Sequence, residues 1–225
     1  MEKDEIKSEI ASYIDHTNLK QDAKIDDIAR LCNEAKQHGF AAVCVLPWYV
    51  RLAREHLDGS EARIATVVGF PLGATYTTAK VLEADIALLN GASELDMVIN
   101  IAALKNREFK TVENDIESVA GLAKRKKAAV KVIIETAMLT DDELERAVNI
   151  AIRAGADYIK TSTGYAGGAT AEAVRKIAGI IPENVKIKAS GGIKTLDEAL
   201  DMIEAGATRI GTSSAIEIMN QAASL

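Results

Sequence analysis

Two lysines stand inside short apolar runs, where an unused lysine is costly. Lys160 lies in Asp157-Tyr158-Ile159-Lys160-Thr161-Ser162-Thr163-Gly164, which passes at once into hydroxyls and a glycine turn. Lys188 lies in Lys186-Ile187-Lys188-Ala189-Ser190-Gly191-Gly192, where a period of two puts Lys186, Lys188 and Ser190 on one face. An amine attacks a carbonyl only when unprotonated, and a free lysine, with a pKa near ~10.4, is almost wholly protonated at neutral pH. A second cation nearby disfavours the charged form and lowers that pKa. One lysine then acts as nucleophile and the other sets its pKa; the residue types leave open which is which. The iminium so formed is an electron sink, suited to breaking a carbon–carbon bond next to a carbonyl. A carboxylate such as Asp96, acting through a water, would move the protons.

The same alternation applied to Lys131-Val132-Ile133-Ile134-Glu135 puts Lys131 and Glu135 on one face, as a further inward cation and carboxylate. Lys131 is expected either to support the two lysines or to sit in a lumen ion pair. An anion cradle is expected from Ser190-Gly191-Gly192 together with Gly211-Thr212-Ser213-Ser214. Glycines expose backbone N–H groups, and the helix that follows each segment favours negative charge at its start. Asp15 and Thr17 are candidates to line the mouth of the site, or else to cap the following turn. Cys44 reads as a packed wall, and Phe70 as part of a loop covering a ligand. Only His16, His38 and His56 are present and they do not converge, so neither a metal nor a cofactor is expected.

These side chains need elements to hold them. Four segments share one grammar, a helix ending in glycine followed by a short apolar strand: 35–45, 88–98, 151–161 and 202–212. Between them the chain alternates throughout. Strands are expected at 13–16, 41–46, 63–68, 94–98, 129–134, 158–161, 185–189 and 209–211. Helices are expected at 24–38, 48–57, 77–90, 109–126, 140–153, 171–180, 195–205 and from about 214, with an extra amphipathic helix around 3–12. Strict alternation means a parallel sheet. Charged residues at the strand ends favour a closed barrel, which gives them a lumen to point into. The expected fold is therefore α/β, a single (β/α)8 TIM barrel with one extra N-terminal helix. Five residues after the four glycines stand Cys44, Asp96, Lys160 and Gly211, which should all face the same way; facing inward, Asp96 and Lys160 would meet near the C-terminal mouth. The stripe Val81, Ala84, Leu88 and Leu89 is expected in the core.

The 225 residues, 48% hydrophobic and 27% charged, suit one large core. A net charge of −6 argues against a nucleic-acid partner. The run Lys124–Lys127 reads as a solvated helix end. Cys32 and Cys44 read as two core thiols in a reducing compartment. The charged start and the lack of a long apolar run predict a cytoplasmic protein that does not enter a membrane.

The motifs IDHTNL (14–19), VGFPLG (68–73), ELDMVIN (94–100), KVIIET (131–136), YIKTSTG (158–164) and KASGGI (188–193), in this order, resemble the deoxyribose-phosphate aldolase family. The resemblance runs over nearly the whole chain. It implies a class I aldolase that reversibly cleaves 2-deoxy-D-ribose 5-phosphate to D-glyceraldehyde 3-phosphate and acetaldehyde, with a homo-oligomer of two or four copies. It also implies Lys160 as the Schiff-base lysine, Lys188 as the activating lysine and proton donor or acceptor, and Asp96 as proton donor or acceptor. Gly164, Ser190, Gly191, Gly192, Gly211, Ser213 and Ser214 would hold the phosphate. Tyr165 stands where some members carry a phosphate-binding lysine, and the loop around Tyr165-Ala166-Gly167-Gly168 is about one residue shorter than in many relatives. The competing readings are another phosphosugar Schiff-base aldolase or isomerase, a catalytically silent sugar-phosphate-binding barrel, and a lumen salt-bridge network without chemistry.

Overall fold

Strands whose two faces are both buried need cover on both sides, and the chain supplies it by closing the sheet on itself and ringing it with helices. The computed structural model describes residues 9–224. Its parallel strands are β1 (Ile14–Asn18), β2 (Ala42–Val45), β3 (Arg63–Val68), β4 (Glu94–Val98), β5 (Ala129–Ile133), β6 (Tyr158–Lys160), β7 (Lys186–Ser190) and β8 (Arg209–Thr212). They pair in chain order, and β8 bonds back to β1, so the fold is a (β/α)8 barrel. The helices are α1 (Ile25–His38), α2 (Val50–His56), α3 (Thr77–Asn90), α4 (Ile101–Lys105), α5 (Phe109–Arg125), α6 (Asp141–Arg153), α7 (Ala171–Ala178), α8 (Leu196–Glu204) and α9 (Ala215–Ala223). Residues 9–13 are also helical, and the rest of the N-terminal helix expected at 3–12 lies outside the described residues.

Period-two alternation divides the barrel into two interiors. Outward residues such as Val43, Ile64, Leu95, Val132, Ile159, Ile187 and Ile210 pack under the helices in one continuous core. Each such aliphatic side chain stabilises the fold by about 1.5–3 kcal/mol. Inward residues split by strand: β2 and β3 contribute the small apolar cluster Ala42, Cys44, Ala65 and Val67. The other strands contribute the charges. Small side chains on one wall leave room for the long lysines from the opposite wall.

The helix-ending glycines behave as their positions require: Gly39 and Gly91 close α1 and α3 in the left-handed region, at φ 70° and 113°. α6 and α8 start on capping boxes, Thr140 with Glu143 and Thr195 with Glu198.

Three expectations change. Leu89, expected in the core, is exposed, whereas Ala84 is buried and Val81 and Leu88 pack partly against the core. β5 stops at Ile133, and Glu135 turns out of the strand at φ 56°, so it does not share the lumen face with Lys131. The stretch expected as helix 48–57 begins as a 3-10 turn, Pro47–Tyr49. The short helix α4 was not expected, although Asn100, whose side chain accepts from Ala103 N–H, is the capping residue that announces it. The run Lys124–Lys127 is exposed at the end of α5. Among the described residues, no helix is long and apolar enough to cross a membrane.

Candidate active site

The parallel register sets Lys160 on β6 opposite Lys188 on β7, and Asp96 on β4 opposite Lys131 on β5. Their side chains meet inside the barrel. Asp96 Oδ2 accepts from Lys160 Nζ at 2.7 Å and from Lys188 Nζ at 2.8 Å, while Oδ1 accepts from Lys131 Nζ at 2.8 Å. Asp15 Oδ2 accepts from Lys188 at 2.5 Å, and its Oδ1 from Arg209 at 2.6 Å. Below them Glu94 Oε2 pairs with Lys131 at 2.6 Å and Arg209 at 3.2 Å. Four cations and three carboxylates thus form one buried network in which every carboxylate has at least two cationic partners.

This arrangement treats its members unequally. Burial alone would raise Asp96, but Lys131, Lys160 and Lys188 overcome it and hold the carboxyl well below the usual carboxylate range. Asp15 is lowered in the same way by Lys188, Lys131 and Arg209 against its burial. Burial would depress both amines, and they part company through their partners. Lys188 has Asp15 and Asp96 against it and is pushed upward, so it stays a cation. For Lys160, desolvation joined by the charge of Lys188 outweighs Asp96, and its pKa falls. Lys131, fully buried among Asp96, Asp15 and Glu94, is raised despite its burial. Lys131 sits in a lumen ion-pair network and bonds Asp96 directly, a position that suits both of its expected uses.

Above the network a cavity of about 510 Å³ opens at the C-terminal ends of the strands, and Lys160 is the lumen amine that lines it. Thr17, Gly164, Ser190, Gly191, Gly192, Gly211 and Ser213 also line it. Three expected site residues sit differently, while Cys44 is the packed wall it was expected to be. Asp15 lies deep in the lumen instead of at the mouth. Ser214 does not line the cavity, and its N–H already donates to Thr212 Oγ1 at 2.9 Å. Cys44 is walled into the apolar side of the lumen, where burial raises its thiol pKa. Phe70 is not in the cavity wall but meets Tyr165 edge-on at 5.5 Å, joining the loops after β3 and β6.

Some glycines serve packing as well. A Cβ on Gly211 would stand 2.9 Å from Lys188 Cε, so this glycine makes room for the lysine. A Cβ on Gly168 would stand 2.6 Å from the Gly191 carbonyl, to which Ala169 N–H donates at 3.0 Å. The loop after β6 is thus laid directly on the loop after β7. Glu135 fastens it from the other side, its carboxylate accepting from Thr163 N–H at 3.2 Å and from the Thr163 hydroxyl.

Sequence reasoning missed Glu94, Arg209 and Lys194. Period two carried the signal for the first pair, since Glu94 and Arg209 precede Asp96 and Gly211 by two residues on their strands. Lys194 follows the Gly191-Gly192 turn and supplies a cation beside the cradle. His16 turns away from the lumen to pair with Glu34 at 2.6 Å, and both line the cavity. Among the described residues, no group of His, Cys, Asp or Glu is placed to hold a metal ion.

A closed barrel with paired amines and carboxylates in its lumen, one of them reaching a cavity at the C-terminal ends of the strands, has the make-up of a barrel enzyme. The chain belongs to the DeoC/LacD family aldolases, whose sequence profile matches residues 10–220. It is 52% identical over 219 residues to the deoxyribose-phosphate aldolase of Thermococcus kodakarensis, covering 96% of this chain and 98% of that one. It is 54% identical over 217 residues to that of Thermococcus gammatolerans, covering 95% and 96%. A solved deoxyribose phosphate aldolase from Aeropyrum pernix, described as a unique tetramer, superposes with a TM-score of 0.89 at 35% identity, over 95% of this chain and 91% of that one.

Proposed function

We propose that the chain is a class I aldolase that reversibly cleaves 2-deoxy-D-ribose 5-phosphate to D-glyceraldehyde 3-phosphate and acetaldehyde through a Schiff base on Lys160. The observation that carries this reading is one Asp96 oxygen shared by two amines with opposite surroundings. Lys160, with its lowered pKa and its place in the cavity wall, is the amine suited to attack.

The neutral Lys160 Nζ adds to C1 of the open-chain sugar, and loss of water gives the iminium. As the C3 hydroxyl gives up its proton, the C2–C3 bond breaks, its electron pair moves into the iminium to form an enamine, and glyceraldehyde 3-phosphate leaves. Protonation of the enamine at C2 and addition of the water return Lys160 and acetaldehyde. Asp96 moves the protons. Lys188 supplies the fixed charge that depresses Lys160; its two carboxylates make it a reluctant proton donor, so its pKa-lowering role is the better supported one. The phosphate sits against Gly191-Gly192, Ser213 and Lys194, where backbone donors and a cation beside them line the cavity.

The chain works as a homo-oligomer, as its Aeropyrum pernix relative is described. Its two free, buried cysteines fit a reducing compartment, the cytoplasm. The deciding experiment is turnover of 2-deoxyribose 5-phosphate, together with borohydride reduction of enzyme and acetaldehyde followed by peptide mapping. The two-carbon adduct is expected on Lys160 and absent from Lys160→Ala. An adduct on Lys188, or none, removes the proposed mechanism.

A further inference from the structure

The barrel has a second mouth, at the N-terminal ends of its strands. β3, β6, β7 and β8 begin on Arg63, Tyr158, Lys186 and Arg209. Each stands two residues before an inward position, namely Ala65, Lys160, Lys188 and Gly211, so all four side chains turn toward the barrel axis. They line a cavity of about 730 Å³, larger than the one at the C-terminal mouth. Arg209 and Tyr158 are only 4% and 8% exposed, yet both border it. Among the described residues its lining holds four cations, Lys36, Arg63, Lys186 and Arg209, against one carboxylate, the exposed Glu61.

We propose that this lower mouth is a second anion site, which takes a phosphate group, free or carried on a small ester. Its donors are uncommitted. Arg63 and Arg209 use only Nη1 on carboxylates: Arg63 donates to Glu94 at 3.1 Å, and Arg209 to Glu94 at 3.2 Å and Asp15 at 2.6 Å. The other nitrogens of each guanidinium remain to bind a ligand, and Glu94, held by both, keeps the two groups together. Lys186 forms no ion pair among the described residues. Its Nζ stands 5.8 Å from the centre of the Tyr158 ring, and Arg209 Cζ stands 5.7 Å from the same centre. Cations gathered on one ring repel each other, and an anion between them relieves the repulsion. Glu94 cannot fill that place, because Arg63, Arg209 and Lys131 already share it. Phosphate suits the donors better than a carboxylate does. Its tetrahedral oxygens can take two guanidinium groups, an ammonium and the Tyr158 hydroxyl together, whereas a carboxylate offers two oxygens. The site is distinct from the cradle at Gly191-Gly192 and Ser213: the two cavities lie at opposite ends of the strands and share no lining residue.

The test uses the whole chain, isotopically labelled, and reads binding residue by residue in amide NMR spectra. Inorganic phosphate is titrated at constant ionic strength, held with chloride. The amides of Arg63, Tyr158, Lys186 and Arg209 are expected to shift saturably, whether or not those at the C-terminal mouth respond. Arg63→Ala/Lys186→Ala, at two exposed positions, should weaken this response by about tenfold or more. Glycerol 3-phosphate, run beside inorganic phosphate, shows by the tighter binding of one or the other whether the group is taken as an ester or free. Succinate should bind about tenfold more weakly than either. No saturable shift at the lower mouth overturns the site, and so does an unchanged response in the double variant. Succinate bound as tightly as phosphate overturns the phosphate assignment. Should the double variant fail to fold, Lys186→Gln, which breaks no ion pair among the described residues, is expected to weaken binding severalfold. An unchanged Kd in that variant overturns the site.

Discussion

Lys160 and Lys188 lie at the same level of adjacent strands and donate to the same oxygen of Asp96, yet only Lys188 has a second carboxylate, Asp15 at 2.5 Å. Two like residues are thereby given opposite protonation tendencies by one additional partner.

Removing the cation should expose this dependence. In Lys188→Ala, Lys160 loses the charge that helps lower its pKa, which moves up toward the free value of about 10.4. The neutral amine then appears only at higher pH. The alkaline-going limb of kcat/KM and of borohydride trapping is expected to shift toward alkali, with activity partly recovered there. A pH profile identical to wild type would remove Lys188 from this role.

Asp96 should matter after the adduct forms. Asp96→Asn is expected to lower kcat by about 10²–10⁴-fold, the usual contribution of a positioned acid–base group. The adduct on Lys160 should remain detectable by mass. Turnover close to wild type would assign the proton transfers elsewhere.

Asp15 ties Lys188 and Arg209 to β1. Asp15→Asn leaves buried cations short of a partner and should cost about 3–5 kcal/mol at neutral pH, read by denaturant titration. The pH dependence has a definite sign. Asp15 and Asp96 have folded pKa values below the unfolded ~3.9, so the stability they contribute is present above that value and is lost as pH falls below it. Calorimetry from about pH 5 down to about pH 2 should show a steep fall in Tm for wild type and a shallower one for Asp15→Asn.

The phosphate end is separable from the chemistry. Ser213→Asp and Lys194→Ala should each raise KM for 2-deoxyribose 5-phosphate by about tenfold or more, equivalent to ~1.4 kcal/mol of binding. KM for unphosphorylated deoxyribose should hardly move. Ser214→Asp should do less than Ser213→Asp, because Ser214 lies outside the cavity wall. Equal effects on both sugars would place the phosphate elsewhere.

The barrel, the inward set and the convergence of Asp96, Lys160 and Lys188 were all legible in the chain, because they follow from periodicity. A residue two positions from an inward one is inward, and equivalent positions of a repeated unit share a face. Glu94 and Arg209 were within reach of the same rule. Three things were not local and so were not readable. Glu135 shares its parity with Lys131, and only the end of β5, with the turn to φ 56°, sends it to Thr163 instead of the lumen. The glycines after β6 and β7 read as donors to an anion, while backbone-to-backbone packing between the two loops is also part of their use. The roles of Lys160 and Lys188 came from a resemblance, since both are lysines in similar strands. What separates them physically is Asp15, 173 positions from Lys188 in the chain and 2.5 Å away across the closed seam between β1 and β8. A pKa depends on charges in space, and closure of the barrel brought that charge to one lysine and left the other facing the cavity.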